Sequence, residues 1–176
     1  MNTIRIRPID PDSTTEIEQV AVRMRATLVE IEGETTGTAL YSMEWLRDRV
    51  RWHLDPDQAT AAVLLAETPG GHVVGHTIVR RETEVNGAAF GLVSTTFVEP
   101  GARRQGSGEK LLLAGEHWFR QASLPSCCTW TSAANAKLIR LYEKHGYGIV
   151  DTQPEETTGT VMVKLHKWLN SRPGKS

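Results

Sequence analysis

Cysteine is nearly absent from this chain: there are two in 176 residues, and they are neighbours, Cys127 and Cys128. Adjacent positions of a strand point to opposite faces, and a redox or metal role would need partners at other spacings. Two buried, reduced thiols are the expectation. An excess of either charge is absent too. Twenty Lys and Arg stand against 21 Asp and Glu, a formal net charge of −1. That balance argues against a nucleic-acid binder, which needs a basic excess to displace counterions from phosphates. No apolar run approaches the ~20 residues of a membrane span. The N-terminal stretch Ile4-Arg5-Ile6-Arg7 alternates and lacks the apolar core of a signal peptide. The expectation from these absences is a cytoplasmic protein that binds neither membrane nor nucleic acid. Internal repeats and dividing linkers are also lacking, and a chain of this length can bury roughly two thirds of its unfolded surface in one core.

What is present changes period along the chain. A short extended run holds Ile4, Ile6 and Ile9. Ser13-Thr14-Thr15-Glu16 is a capping-box pattern, and Ile17, Val20, Ala21, Met24, Leu28 and Ile31 recur behind it at helical spacing. A loop is expected from Gly33 to Ala39. Ser42 can cap a second helix, with Leu46, Val50 and Leu54 on one face, ended at Asp55-Pro56. Strands are predicted over Ala62 to Ala66, Val73 to Glu84 and Phe90 to Val98. Pro69-Gly70-Gly71 and the hairpin signal Asn86-Gly87 join them into an antiparallel meander. A helix follows Gly106-Ser107-Gly108 and is broken by Pro125. Cys127 to Thr131 reads as a strand, and Ser132 as the cap of a helix closed at Gly146. Tyr147 to Val150 and Thr160 to Leu165 supply two more strands. The sum is one α/β domain over residues 1–169, a mixed and largely antiparallel sheet flanked by helices. A polar tail follows over 170–176.

Chemistry concentrates where the meander gives way to a helix. In Val98-Glu99-Pro100-Gly101-Ala102-Arg103-Arg104-Gln105-Gly106-Ser107-Gly108 a strand ends, a loop follows and a helix begins at two glycines. A helix N-terminus offers unpaired N–H groups and roughly half a positive charge, the glycines allow close approach, and two arginines add full charges. This suits a diphosphate. A Walker loop would need Gly-Lys-Ser/Thr, which is missing. A dinucleotide fingerprint would put a third glycine where Leu111 stands. A plain strand-to-helix turn with solvated arginines is the remaining alternative.

Asn135 and Tyr142 lie seven positions apart, two turns of one helix, followed by Glu143-Lys144-His145-Gly146-Tyr147. Taken together, Val98-x-Pro100-x-x-Arg103-x-x-Gly106-x-Gly108, Asn135 and Leu141-Tyr142-Glu143-Lys144-x-Gly146-Tyr147 resemble the GNAT superfamily of N-acetyltransferases. The order of the preceding helices and meander fits as well.

The resemblance implies acetyl-coenzyme A as co-substrate, a small-molecule or peptide amine as acceptor, and direct transfer with no acyl-enzyme. Backbone N–H groups from Arg103, Arg104, Gln105, Gly106, Ser107 and Gly108 would hold the pyrophosphate. The strand near Phe97 and Val98 would bond the pantetheine arm, splayed from the strand at Cys127, and an N–H there would polarise the thioester carbonyl. Asn135 would assist the arm, and Tyr142 would protonate the departing thiolate. A homodimer is compatible with this reading. A non-catalytic sensor that binds acyl-coenzyme A is the rival from another class, and a dinucleotide-dependent oxidoreductase is a weaker one.

Other groups receive no role, or an open one. An alkylamine at neutral pH needs about 4–5 kcal/mol to reach its neutral form, yet Glu67, Glu82, Glu84 and Glu99 are all candidates for surface charges and none stands out as the base. Glu30, Glu32 and Glu34 lead into the loop that the resemblance places on the acceptor side, and there would favour a cationic acceptor. His72, His76, His117 and His145 do not converge on a metal and read as scattered surface residues. Trp45, Trp52, Trp118 and Trp168 fit amphipathic faces and core edges.

Overall fold

The computed structural model describes residues 3–103 and 105–169. The extended run at the N-terminus is β1 (Arg5–Pro8), an edge strand paired antiparallel with β2 (Ala61–Glu67). β2, β3 (Val73–Thr83) and β4 (Ala89–Val98) form the expected antiparallel meander. The Asn86-Gly87 turn closes it with positive φ at Gly87 but not at Asn86, whose side chain accepts from the Ala88 N–H instead. β5 (Ser126–Ser132) runs parallel to β4, and β7 (Val161–Trp168) and β6 (Gly148–Pro154) complete the sheet antiparallel. The order is β1-β2-β3-β4-β5-β7-β6, seven strands in one open mixed sheet.

Helices cover both faces, and their apolar stripes explain which face each takes. α1 (Thr14–Glu32) and α3 (Met43–Leu54) set Ile17, Val20, Leu46 and Val50 against Leu65 and Ile78. On the opposite face, α4 (Ser107–Gln121) and α5 (Ala136–Lys144) set Leu112, Phe119 and Tyr142 against Val79, Val93 and Leu165. Each such aliphatic or aromatic side chain contributes about 1.5–3 kcal/mol by leaving water. α1 and α3 are capped as their sequences indicate, the Ser13 and Ser42 hydroxyls accepting from the N–H groups of Glu16 and Trp45.

Three expectations need correction. The segment after Gly33 is not a loop; it forms the short helix α2 (Glu34–Ala39). Gly37 makes this possible. A Cβ there would lie 2.6 Å from the Cα of Val29, so only glycine lets α2 fold back onto the α1 backbone. Ser132 does not cap α5 either. Its hydroxyl accepts from Ala134 N–H, while Asn135 Oδ1 accepts from Leu138 N–H and begins the helix. β6 and β7 also run further than their apolar cores suggested, because β6 pairs with β7 as far as Pro154 and β7 pairs with β5 as far as Trp168.

Candidate active site

β4 and β5 part company. Their parallel pairing covers only Gly91↔Cys127, Leu92↔Cys128 and Val93↔Thr129. Beyond it, Ser94 to Val98 and Trp130 to Ser132 diverge as two arms of a fork. A bulge marks the point of departure. Ile78 is opposite Thr95 and Val79 opposite Val93, which leaves Ser94 as the extra residue. The backbone edge of β4 beyond Val93, including Phe97 and Val98, therefore lacks β5 as a partner.

Tyr142 stands at this fork. Its side chain is buried, 3% exposed, and its hydroxyl hydrogen-bonds with Thr96 of β4 and Thr129 of β5, one residue from each arm. Burial, opposed by those two hydrogen bonds, pushes the phenol up to about 12. The group keeps its proton through the physiological range. Its ring packs edge-on against Tyr147, 4.8 Å between centroids.

The expected phosphate turn lies at the end of β4. Glu99 leads into a single 3₁₀ turn, Pro100–Ala102. Gly106 then takes a left-handed conformation, φ +76°, and α4 begins at Ser107. The first N–H groups of α4 have no preceding helical turn to bond. Ser107 Oγ is buried without a hydrogen-bond partner. A Cβ built on Gly106 would meet nothing within 4 Å, and one on Gly108 would meet only Leu141 at 3.5 Å, so neither glycine is crowded by the rest of the fold. The structure narrows the sequence reading here. The N–H groups of Arg103 and Gln105 bond back to the carbonyls of Pro100 and Ala102, and are spent inside the turn. The Arg103 guanidinium donates to Val98 O at 2.8 Å and to Glu30 Oε1 at 2.5 Å. Arg104 lies outside the described residues. Asn135 holds the start of α5 through its Oδ1, which leaves its amide nitrogen as the group available to a ligand.

The carboxylates weighed as bases are largely committed. Glu67 accepts from Arg7 and Arg5, which hold it below the ordinary carboxylate range. Burial would raise Glu99, but its bonds to His72 and Arg23 and their charges bring it below the usual value. Glu82 is bound by Arg80 at 2.5 Å. Glu30, expected to attract a cationic acceptor, is the partner of Arg103.

Of the histidines read as surface residues, His72 and His117 are exposed, His145 is half-buried and His76 departs from the reading. His76 is fully buried on β3, both ring nitrogens without hydrogen bonds, and burial together with the charge of Arg23 lowers it to about 3. His53, also buried, is lowered to about 4, mainly by burial. Among the described residues no group of three or more His, Cys, Asp or Glu could hold a metal ion, and no helix is long and apolar enough to cross a membrane. Cys127 and Cys128 are free, buried thiols, raised by burial to about 12 and 11.

Opposite Tyr142, across the sheet, lies a group that sequence reading missed. His53 Nδ1 is 2.9 Å from Arg49 O, and its Nε2 is 2.9 Å from Arg80 Nη1. Arg80 also reaches Ser94 Oγ at 3.3 Å. The guanidinium carbons of Arg49 and Arg80 lie 4.1 and 5.7 Å from the Trp52 ring centre. The regular spacing of Trp45, Arg49 and Trp52 along α3 was the available signal, but only the sheet register brings Arg80 and Ser94 beside it. A hollow of about 500 Å³ lined by Pro8, Leu54, Pro56 and Trp118, among others, holds none of the expected site residues.

Comparison with known proteins follows the same lines. The sequence profile described as Acetyltransferase (GNAT) family matches residues 25–147. A mycothiol acetyltransferase of Saccharomonospora viridis is 31% identical over 100 residues, which make up 54% of this chain and 33% of that protein. The chain thus aligns with about a third of the length of this curated relative. Among solved structures, a GNAT-family acetyltransferase from Streptococcus pneumoniae superposes with a TM-score of 0.71 at 19% identity, covering 96% of this chain and 100% of that one. The putative acetyltransferase yncA from Salmonella typhimurium, solved with its cofactor acetyl-CoA, gives 0.73 at 16% identity and 99% coverage of both chains. These structural likenesses concern the fold.

Proposed function

The chain belongs to the acetyltransferase (GNAT) family, and from that premise we propose that it moves acetyl from acetyl-coenzyme A directly to a primary amine of a small molecule or peptide. The domain that does so spans residues 1–169, with the polar stretch 170–176 after it. The observation that carries the reading is the fork itself: β4 leaves β5 after Val93, and a protonated phenol is held between the two arms by Thr96 and Thr129.

The residues present fit the co-substrate. The bend at Gly106 and Gly108 is open to close approach, and the unpartnered Ser107 hydroxyl lies in the first turn behind it. The N–H groups at Gly106, Ser107 and Gly108 would receive the diphosphate, with Arg104 near by in sequence. Arg103 and Gln105 would shape the turn that presents them. The free edge of β4 at Phe97 and Val98 would bond the arm as a neighbouring strand does, and an N–H there would polarise the acyl carbonyl. The Asn135 amide would steady the arm. Acetyl-coenzyme A supplies an acyl group already activated as a thioester.

Tyr142 would hold its proton until the sulfur departs as thiolate, then deliver it from the hydroxyl oxygen. The raised thiols of Cys127 and Cys128 make poor nucleophiles, which agrees with transfer in one step. Because Glu67 and Glu99 are acidified by their partners and Glu82 is bound by Arg80, the amine would reach the fork neutral or lose its proton to water. Release of free thiol from acetyl-coenzyme A over a panel of amines tests the proposal. Binding of acetyl-coenzyme A without turnover for any amine would point instead to an acyl-coenzyme A sensor.

A further inference from the structure

Thr129 turns its hydroxyl toward Tyr142 on the α5 face, so its neighbour Trp130 points to the other face, where α3 lies. Arg80 is on that same face, because it reaches His53 of α3. Its strand partner is Leu92, and it hydrogen-bonds the bulged Ser94 where the fork opens. The phenol and the Arg80 group thus look into the opening of the sheet from opposite sides.

Arg49 sits beside Arg80 with an unusual lack of partners. Its guanidinium stacks 4.1 Å over Trp52, and among the described residues it forms no ion pair and no side-chain hydrogen bond. Stacking leaves the edge of the fork-shaped cation free. Burial, and then the charge of Arg80, pull it below the usual arginine value. Two like charges in a half-buried place disfavour each other, and Glu82, bound to Arg80, offsets only one of them.

Arg80 is fixed for such a role. Its Nε is bound by Glu82 at 2.5 Å, and one terminal nitrogen by His53 and Ser94. His53 can accept there because its other nitrogen faces the Arg49 carbonyl as a donor. Asp48 and Arg51 pair with each other at 3.6 Å. The local balance of Arg49, Arg80 and Glu82 is one net positive charge, which suits a monoanion better than a phosphate. A planar guanidinium edge matches a carboxylate. A hollow of about 200 Å³ lined by Trp45, Asp48, Arg49 and Trp52 adjoins it.

Resting on the acetyl-transfer reading above, we propose that Arg49 and Arg80 bind a carboxylate carried by the acceptor, so that the substrates are amines of amino-acid type, their nitrogen directed past Ser94 into the fork. Glu30, Glu32 and Glu34 then play no part in choosing the acceptor. His53 acts as a positioning residue for Arg80.

The test uses the full chain and matched pairs of amines that differ by one carboxylate: phenylalanine and phenethylamine, leucine and isoamylamine, lysine and cadaverine. Values of kcat/KM are referred to the free-base concentration of each amine, since the carboxylate also changes the amine pKa. The carboxylated member is expected to be preferred by ~10-fold or more. Arg49→Gln is expected to shrink that ratio by ~10-fold, and Arg49→Lys, which keeps charge but not the planar edge, to shrink it less. Arg5→Gln, on the edge strand β1 and away from α3, is expected to leave the ratio alone. A ratio near one for every pair, or a ratio unmoved by Arg49→Gln, overturns the proposal. If no amine releases thiol, the acetyl-transfer reading fails by itself. The anion site is then decided by calorimetric titration of phenylalanine and phenethylamine into the chain saturated with coenzyme A. Binding of phenylalanine alone, weakened by Arg49→Gln, supports the site, and equal or absent binding of both overturns it.

Discussion

Arg103 on the turn before α4 donates to the carboxylate of Glu30 near the end of α1, at 2.5 Å. The two residues were expected to serve opposite ends of the reaction, one at the diphosphate and the other at a cationic acceptor. Here each neutralises the other. Both side chains are about half exposed, 44% and 50%, so the pair is a weak tether that solvent screens.

Glu30→Gln should therefore release Arg103 toward the bend. The KM for acetyl-coenzyme A is expected to fall by ~2–5-fold at low salt, and the gain to vanish in concentrated salt. Steady-state kinetics at two ionic strengths checks this. An unchanged KM at low salt would leave Arg103 with a purely structural part.

Tyr142→Phe removes the hydroxyl proposed as the proton donor and keeps the ring that packs on Tyr147. Turnover should drop ~10²–10³-fold with little change in affinity for acetyl-coenzyme A. The pH profile carries a second signature. With the phenol at about 12, its deprotonation contributes no falling limb below roughly that pH. In the parent, kcat/KM should rise about tenfold per pH unit until the acceptor amine reaches its own pKa, then level off. A basic limb near pH 9 that Tyr142→Phe abolishes would show that the tyrosine titrates in the working range.

The two glycines of the bend can be told apart. Gly106 holds a left-handed conformation with open space around it, so Gly106→Ala should lose about 1–2 kcal/mol of stability from backbone strain alone. Gly108 lies in the first turn of α4, where alanine meets only ordinary contact with Leu141. Gly108→Ala should keep or slightly raise the folding stability, by up to ~1 kcal/mol. It should nevertheless raise the KM for acetyl-coenzyme A by ~10-fold if the bend receives the diphosphate as proposed, because the added methyl would narrow the approach to the backbone. Urea unfolding beside kinetics on both variants separates the effects.

Two buried neutral histidines give stability an acid limb. His53 is lowered to about 4 and His76 to about 3, so between pH 6.5 and those values the unfolded chain binds protons that the folded one refuses. Their contribution is complete above the unfolded pKa and is lost as pH falls through the folded values, on the order of 3 kcal/mol for His53 and about 5 kcal/mol for His76. Glu16 and Glu67, held below the carboxylate range by arginines, add a loss only below about pH 4.5. Replacing His76, whose ring nitrogens lack partners and which faces Phe97 and Arg23, by leucine should flatten the slope between pH 6.5 and 4.5. Urea midpoints against pH measure it. An unaltered slope would mean that His76 titrates normally.

The fold was legible where local chemistry and tertiary structure agree. Ser13 and Ser42 cap the helices they were expected to cap, and the turn at Asn86-Gly87 joins the strands it was expected to join. The α2 segment was missed because what makes it helical is contact between Gly37 and the α1 backbone, a fact about two distant turns rather than about Glu34 to Ala39. The caps at the start of α5 were confused because Ser132 and Asn135 are both good oxygen acceptors a few residues apart. At the site, Tyr142 and the bend at Gly106 could be read from short motifs, since each belongs to one helix and its approach. His53, Arg80 and Ser94 come from three elements, and register alone unites them. Nothing in the order of residues says that Glu30 will meet Arg103.

The short parallel seam has a mechanical outcome. With Gly91, Leu92 and Val93 alone stitching the meander to the β5-β7-β6 half, the sheet is two leaves on a narrow hinge. An extended molecule bonded along the bare margin of Phe97 and Val98 would act as a wedge that braces the leaves apart, making the first substrate to arrive a temporary part of the scaffold that receives the second.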